Sequence, residues 1–496
     1  MNYRSTRNDK ISVTSSEAIA KGLSAEGGLF VPVSIPSISL AQIERMANMV
    51  YTERAMEILG TFLTDFTKEE LLACINAAYT KEKFGSDAIA PVHKLNDSQY
   101  ILELWHGPTC AFKDMALQIL PHLLTTSVKK LGIDRETIIL VATSGDTGTA
   151  ALNGFQNIPG IKIVAFYPVE GVSKIQRLQM CTQEGSNVFV SAVNGNFDDT
   201  QTGVKTIFTD KDYEEELLST KKALSSANSM NWGRLVPQII YYFSAYCDMI
   251  KSGQIACGDA VNICVPTGNF GNILAGFYAK CMGLPIKKLI CASNKNNVLT
   301  DFIGTGVYDR NRDFFVTTSP SMDILISSNI ERLLYMLSGE DTALVREYMD
   351  ALKEVGTYTV NNEIKNKIAE HFFGGFADEE VCAETIKETH QKFGYVVDPH
   401  TAVAVAVHNA YTAKTGDDTK TIIASTASPF KFNGAVLNAL CSENLQLDEF
   451  DLLEKLAADY DLEVPKPLKA LKEKAVRFEA VCDKNKMKEI VNAFLK

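Results

Sequence analysis

Apolar positions follow two different spacings along this chain. Over residues 42–63 and 68–84 they recur every three or four places, as at Ile43, Met46, Met49 and Val50, which predicts amphipathic helices. Residues 25–32 interrupt this with a glycine turn and a short extended piece, so residues 1–95 read as a largely helical lead-in. From Tyr100 the spacing changes. Short apolar runs at 100–104, 137–142, 161–166 and 187–193 alternate with helical stretches at 115–131, 173–184 and 199–209. Unbroken apolar runs of this length are how parallel strands buried on both faces read. Pro121 falls inside the first helical stripe and predicts a break there. The alternation resumes with a strand over 261–265, a helix over 273–282 and a strand over 288–292, and again with a helix over 402–413 and a strand over 421–424. Strand–loop–helix units at this spacing predict a doubly wound α/β fold. Between about 295 and 395 the chain turns polar and helical, as an insertion would, and residues 448–496 read as a charged helical periphery. Three units follow: an N-terminal helical cap domain over 1–95, an α/β core over 96–430 in two subdomains that carries the insertion, and a C-terminal helical region over 431–496.

Composition narrows the class. A chain of 496 residues is too long for one ordinary core. Hydrophobic content of 46% and charged content of 22% are those of a soluble globular protein, and no apolar run reaches the ~20 residues of a membrane helix. The first residues are polar and lack the apolar segment of a secretory signal. A net charge of −11 argues against a nucleic-acid partner. The eleven cysteines are scattered, with no Cys-x-x-Cys, which points to reduced thiols and a cytoplasmic home. The seven histidines show no zinc-like spacing, so no metal site is expected.

Candidate chemistry lies where strands end, because ligands of open α/β sheets bind beyond the strands' carboxyl ends. Lys113 follows the Gly107-Pro108 turn, sits beside Phe112 and stands at the mouth of a helix. Partial burial there disfavours the ammonium and leaves a nucleophilic amine, as a Schiff-base lysine requires. The same stretch also suits a lysine whose stem packs on Phe112 while its head reaches water. Gly268, Asn269, Phe270, Gly271 and Asn272 join a strand to a helix, and converging backbone N–H groups at a helix N-terminus make a phosphate cradle. The stretch is neither a dinucleotide fingerprint nor a P-loop, and a tight turn needing glycine is the plainer alternative. Ser144, Gly145, Asp146 and Thr147 open another helix with hydroxyl and backbone donors suited to a carboxylate, or simply with good capping residues. Ser425 and Thr426 place hydroxyls at a strand end. Ser229, Asn231 and Arg234 form a polar cluster, and Lys174 and Arg177 lie three apart near a helix start. One ligand class answers these contents together: an aldehyde for Lys113, a phosphate for the glycine loop and a ring nitrogen for a hydroxyl, which is pyridoxal 5′-phosphate.

In this order, the motifs resemble those of the threonine synthases of the microbial and fungal kind, within the tryptophan-synthase-β-like, fold type II, pyridoxal-phosphate enzymes. The resemblance spans nearly the whole chain. It takes in Tyr3-Arg4-Ser5-Thr6-Arg7, Glu26 to Pro32, His106 to Thr109 with Phe112-Lys113-Asp114, Ser144 to Gly148, Gly195 to Asp199, Asn228 to Arg234, Gly268 to Asn272 and Asp398 to Thr401. It implies two doubly wound parallel-sheet domains, with Lys113 carrying the cofactor as a Schiff base, residues 268–272 holding its phosphate and Thr426 facing its ring nitrogen. The family's stretch there is similar to Thr-Ala-His-Pro, whereas this chain has Thr426-Ala427-Ser428-Pro429, with serine for histidine. The implied reaction turns O-phospho-L-homoserine and water into L-threonine and phosphate. The alternative is another fold type II lyase, a phospho-lyase or a serine/threonine dehydratase. Residues 144–147 are expected near the substrate carboxylate, with Asp146 orienting the loop or facing the substrate amine. Arg234, Arg177 and Lys174 are expected to meet the leaving phosphate, with Ser229 and Asn231 beside them. The expected partner is this small molecule, with no nucleic acid and no membrane, in a monomer or homodimer. Asp114 has no assigned part beyond capping the next helix.

Overall fold

A computed structural model describes residues 1–442 and 445–496, with the backbone alone described at Asp198. Two largely parallel sheets organise it. The larger runs Phe372–Phe376, Ile286–Ser293, Val261–Pro266, Thr421–Ser425, Gln99–Glu103 and Val92–Lys94, parallel except for its last strand. The smaller runs Ala480–Asp483, Val188–Asn194, Ile161–Pro168, Glu136–Ala142 and Lys222–Ser225, parallel throughout. The interior strands are the apolar runs of the sequence; Val261–Pro266 is buried at every position. Helices cover both faces, as parallel sheets require. The fold is therefore the α/β, doubly wound, two-sheet arrangement expected.

Local chemistry sets the helix boundaries. The stripe after Lys113 is two helices, Asp114–Leu117 and Leu120–Lys130, and Pro121 sits in the first turn of the second, where its missing N–H costs nothing. Ser173 and Asn196 each open a helix through a reciprocal capping box with Gln176 and Asp199. The helix Pro237–Lys251 is buried on all sides from 237 to 247 and runs through the core.

Three expectations are corrected. The N-terminal region is not simply helical: Asn2–Ser5 pairs antiparallel with both Asn8–Thr14 and Phe30–Pro32. The polar segment 295–395 is not wholly helical, because Phe372–Phe376 joins the larger sheet as an edge strand. The charged tail is not merely peripheral, because Ala480–Asp483 closes an edge of the smaller sheet. The last two are short strands, and pairing with a distant partner rather than local preference makes them strands.

The N-terminal sheet is anchored to the core by Trp232, whose ring lies 5.5 Å from Tyr3, 5.6 Å from Phe62 and 5.4 Å from Tyr278. Removing a fully buried indole of this kind costs about 3–5 kcal/mol. Among the described residues no helix is long and apolar enough to cross a membrane.

Candidate active site

The turn before Lys113 is held by a buried acid. Asp114 accepts the Thr109 N–H and the Thr109 hydroxyl, each at 2.8 Å. Gly107 passes so close to it that a Cβ would meet the Asp114 side chain at 2.5 Å. Asp114 is thus the staple of the turn, a part the sequence did not suggest. Burial pushes its carboxyl up to about 6, against the two Thr109 bonds. Ala111 then bridges Ala427, and the Phe112 N–H donates to the Thr426 carbonyl at 2.8 Å. Lys113 is therefore stitched to the stretch that carries Thr426.

The Lys113 amine has no hydrogen-bond partner among the described residues. It stands 5.9 Å from the centre of the Phe112 ring, so its stem does pack there. The residue is half-buried, and burial brings the amine's pKa down to about 8. Asp146 opposes that shift, and Arg234 and Lys431 reinforce it.

The glycine loop ends in the helix Gly271–Cys281, with Phe270 left-handed at φ +60°. No acceptor among the described residues takes the N–H groups of residues 268–272. These donors, with the positive end of the helix dipole, form an open anion cradle. Its back is built by the 319–332 segment. Ser327 donates to the Gly268 carbonyl at 2.9 Å, and Asn329 donates to the Asn269 carbonyl from its backbone at 3.2 Å and its amide at 2.9 Å. A Cβ on Gly268 would lie 2.5 Å from the Ser321 carbonyl oxygen. Arg332, fully buried, donates to Asn329 Oδ1 at 2.5 Å, the Phe30 carbonyl at 3.0 Å and the Met230 carbonyl at 2.6 Å. The Asn272 side chain turns inward, where its Oδ1 accepts the hydroxyls of Tyr241 and Tyr242.

A second helix N-terminus is joined to this one through Ser321. Thr143 Oγ1 accepts the N–H groups of Gly145 and Gly148, while those of Ser144, Asp146 and Thr147 meet no acceptor among the described residues, nor do the Ser144 and Thr147 hydroxyls have partners. The Asp146 carboxylate points inward. It pairs with the buried Lys431 ammonium at 2.6 Å and accepts from Gln176 at 2.9 Å and from the Ser321 hydroxyl at 3.0 Å. Burial alone would raise its pKa; Lys431 and then Lys113 overcome this and hold it well below the usual carboxylate range. Contacts thus run from the Lys113 turn through Lys431, Asp146 and Ser321 to the glycine loop.

The remaining candidates divide. Arg234 is buried, donates to the Ala227 carbonyl at 2.7 Å and leaves its Nε without a partner, and burial brings its pKa down to about 10. Ser229 lies against Gly271, and its hydroxyl meets Ser328 at 3.3 Å. Asn231 faces the other way: it caps the helix Trp232–Leu235 and donates to the Ile19 carbonyl at 3.0 Å. Lys174 is exposed and paired with Asp448, and Arg177 is exposed. Their helix turns Gln176 and Gln179 inward instead, the latter donating to the Thr109 carbonyl at 3.1 Å. Lys431, Gln176, Gln179 and Ser321 went unnoticed in the sequence. For Lys431 a signal existed: it lies between Phe430 and Phe432, as Lys113 follows Phe112. The Thr426 hydroxyl has no partner among the described residues. No group of three or more His, Cys, Asp or Glu able to hold a metal occurs among them.

Comparison with known proteins places this arrangement. The family models for the threonine synthase N terminus and the threonine synthase C-terminal region match residues 2–79 and 401–491. The threonine synthase of Pseudomonas aeruginosa is 38% identical over 442 residues, 88% of this chain and 90% of that protein. The chain belongs to the threonine synthase family. A solved relative, the pyridoxal-phosphate-bound threonine synthase of Brucella melitensis, superimposes with a TM-score of 0.88 at 35% identity, covering 100% of this chain and 99% of that one. The human threonine synthase-like 1 protein is 43% identical over 435 residues, and the match takes in 58% of its length. Ser428 is fully buried and caps the short turn Pro429–Phe432.

Proposed function

We propose that this member of the threonine synthase family is a pyridoxal 5′-phosphate-dependent lyase that converts O-phospho-L-homoserine and water to L-threonine and phosphate. One observation carries the reading: a lysine amine of lowered pKa, free of hydrogen-bond partners, is tied by contacts to a cradle of unpartnered N–H groups at a helix N-terminus. A phosphorylated aldehyde needs both. The unpartnered Thr426 hydroxyl, stitched beside Lys113, supplies a neutral partner for a ring nitrogen.

In this reading Lys113 holds the cofactor, the N–H groups of residues 268–272 bind its phosphate and Thr426 faces its ring nitrogen. The cofactor, when bound, supplies an electron sink that stabilises negative charge beside the substrate's amino carbon. The Lys113 amine removes the Cα proton and then a Cβ proton, the latter leaving with the phosphate that departs Cγ; it gives a proton to Cγ, takes one from the water that adds at Cβ and returns one to Cα. A pKa of about 8 lets one amine both accept and donate near neutrality. The free N–H groups of Ser144, Asp146 and Thr147, with the Ser144 and Thr147 hydroxyls, bind the substrate carboxylate. Arg234, with its free Nε and with Ser229 nearby, meets the leaving phosphate. Lys174, Arg177 and Asn231 have no direct part in this version. The units 1–95, 96–430 and 431–496, a cytoplasmic location and a monomeric or homodimeric state belong to the same proposal.

The test is product analysis. Protein loaded with pyridoxal phosphate and given O-phospho-L-homoserine should release threonine and phosphate in equal amounts. Release of a 2-oxo acid and ammonia without threonine would replace the reading with that of a phospho-lyase or dehydratase.

A further inference from the structure

The buried pair Lys431–Asp146 does something an anion site does not need. Both side chains are sealed from solvent, Lys431 at 0% and Asp146 at 2% exposure, with 2.6 Å between them. Lys431 follows the larger sheet's strand Thr421–Ser425, and Asp146 follows the smaller sheet's strand Glu136–Ala142. The pair therefore crosses between the halves of the protein. On one side Lys431 also donates to the Thr109 carbonyl at 2.9 Å, inside the turn that sets Lys113. On the other, Gln176 and Ser321 take up more of the Asp146 lone pairs. The result is a carboxylate that acts on the Lys113 amine by charge but makes no hydrogen bond to it, its Oδ1 being shared by Lys431 and Gln176 and its Oδ2 taken by Ser321.

We propose that Lys431 is a positioning residue: by pairing with Asp146 it keeps that carboxylate from capturing the Lys113 ammonium, and so keeps the Lys113 amine available for Schiff-base chemistry. This rests on the functional reading above and adds to it a residue outside the cofactor and substrate contacts. Without Lys431, Asp146 Oδ1 has an unfilled acceptor site, and the next cation acting on the carboxylate is Lys113. A buried carboxylate left unpaired is costly, so the two would join. The charged groups acting on Lys113 are Asp146, Arg234 and Lys431. Removing Lys431 takes away one repelling charge and frees the attracting one, and both changes raise the Lys113 pKa. Replacing Asp146 with asparagine leaves two repelling charges and no attraction, which lowers it. A scaffold role for either residue predicts no such opposition of sign.

The experiment measures Lys113 rather than turnover. Apo-protein is mixed with pyridoxal 5′-phosphate at a series of pH values, trapped with borohydride and digested, and the labelling rate of the Lys113 peptide is plotted against pH. The Lys431→Met variant should move the midpoint up by about one unit or more, making labelling at pH 7.5 several-fold to tenfold slower. The Asp146→Asn variant should move it down, and the double variant should return to near the wild-type midpoint. Midpoints that do not move, or that move in the same direction in the two single variants, overturn the proposal. Should Lys431→Met fail to fold, Asp146→Asn and the double variant decide by the same rule, since the double variant leaves no unpaired buried charge. Absence of labelling at Lys113 in the wild type would instead overturn the functional reading itself.

Discussion

Replacing Asp114 by asparagine separates the charge of this residue from its hydrogen bonds. The carboxylate sits at 0% exposure and its pKa is pushed up from 3.8 to about 6, so the folded protein binds this proton more tightly than the unfolded chain does. The sign follows from that difference. The group stabilises the fold most below about pH 4, loses that contribution as the pH rises through about 6, and is a constant cost above. At pH 7.5 a shift of about two units amounts to about 3 kcal/mol, and at pH 4.5 about 1 kcal/mol of it remains. An asparagine keeps the turn, since its carbonyl can accept the Thr109 N–H and its amide can donate to the Thr109 hydroxyl. It has no proton to titrate. Urea unfolding of both proteins, followed by tryptophan fluorescence in matched buffers, should show Asp114→Asn gaining about 2 kcal/mol on the wild type between pH 4.5 and 7.5. Every other titrating group cancels in that comparison. A difference between the two proteins that is constant with pH, or that favours the wild type as pH rises, would refute the argument that the buried charge is the cost.

Three other outcomes are expected. Lys113→Ala should lose pyridoxal-phosphate labelling and activity together while unfolding as the wild type does, and wild-type labelling should slow about tenfold per pH unit well below pH 8. Gly268→Ala should weaken cofactor binding about tenfold or more in an equilibrium titration, because its Cβ would press on the Ser321 carbonyl oxygen at 2.5 Å and overpacking of that kind costs about 1–3 kcal/mol. Arg332→Met should lower the thermal midpoint of the apo-protein and loosen the cofactor further, because it leaves three acceptors, at Phe30, Met230 and Asn329, without their donor at about 1–3 kcal/mol each if no water replaces it. An unchanged apo midpoint in this variant would show that the arginine does not brace the cradle.

Much of the architecture could be read from local pattern because interior parallel strands carry their own signature, an unbroken apolar run such as Val261–Pro266. Edge strands carry none. Phe372–Phe376 and Ala480–Asp483 are strands because partners far away in the chain accept them, and no window of neighbouring residues reports that. The site divides the same way. Lys113, the loop 268–272 and Thr426 stand at strand ends, where topology alone calls for ligand contacts. Lys431 meets Asp146 only through the fold, across more than half the chain. The helix Lys174–Cys181 shows the limit of spacing itself: Lys174 and Arg177 are three apart, and so are Gln176 and Gln179, but only the second pair faces inward. Which stripe of a helix is buried is settled by its neighbours, not by its period.

The smaller sheet's edge strand Ala480–Asp483 also has a consequence for the order in which the protein can be made. It pairs with Ser191–Asn194, 289 residues earlier. At translation speeds of about 5–20 residues per second, the strand Val188–Asn194 waits on the order of tens of seconds, one side unpaired, before its neighbour emerges. The Lys113 turn waits on a similar scale for Thr426 and Lys431, the latter 322 residues beyond Thr109. The Lys113 turn and the smaller sheet therefore mature only after these late segments have emerged. Chaperone demand during that interval should fall on the exposed edge of Val188–Asn194.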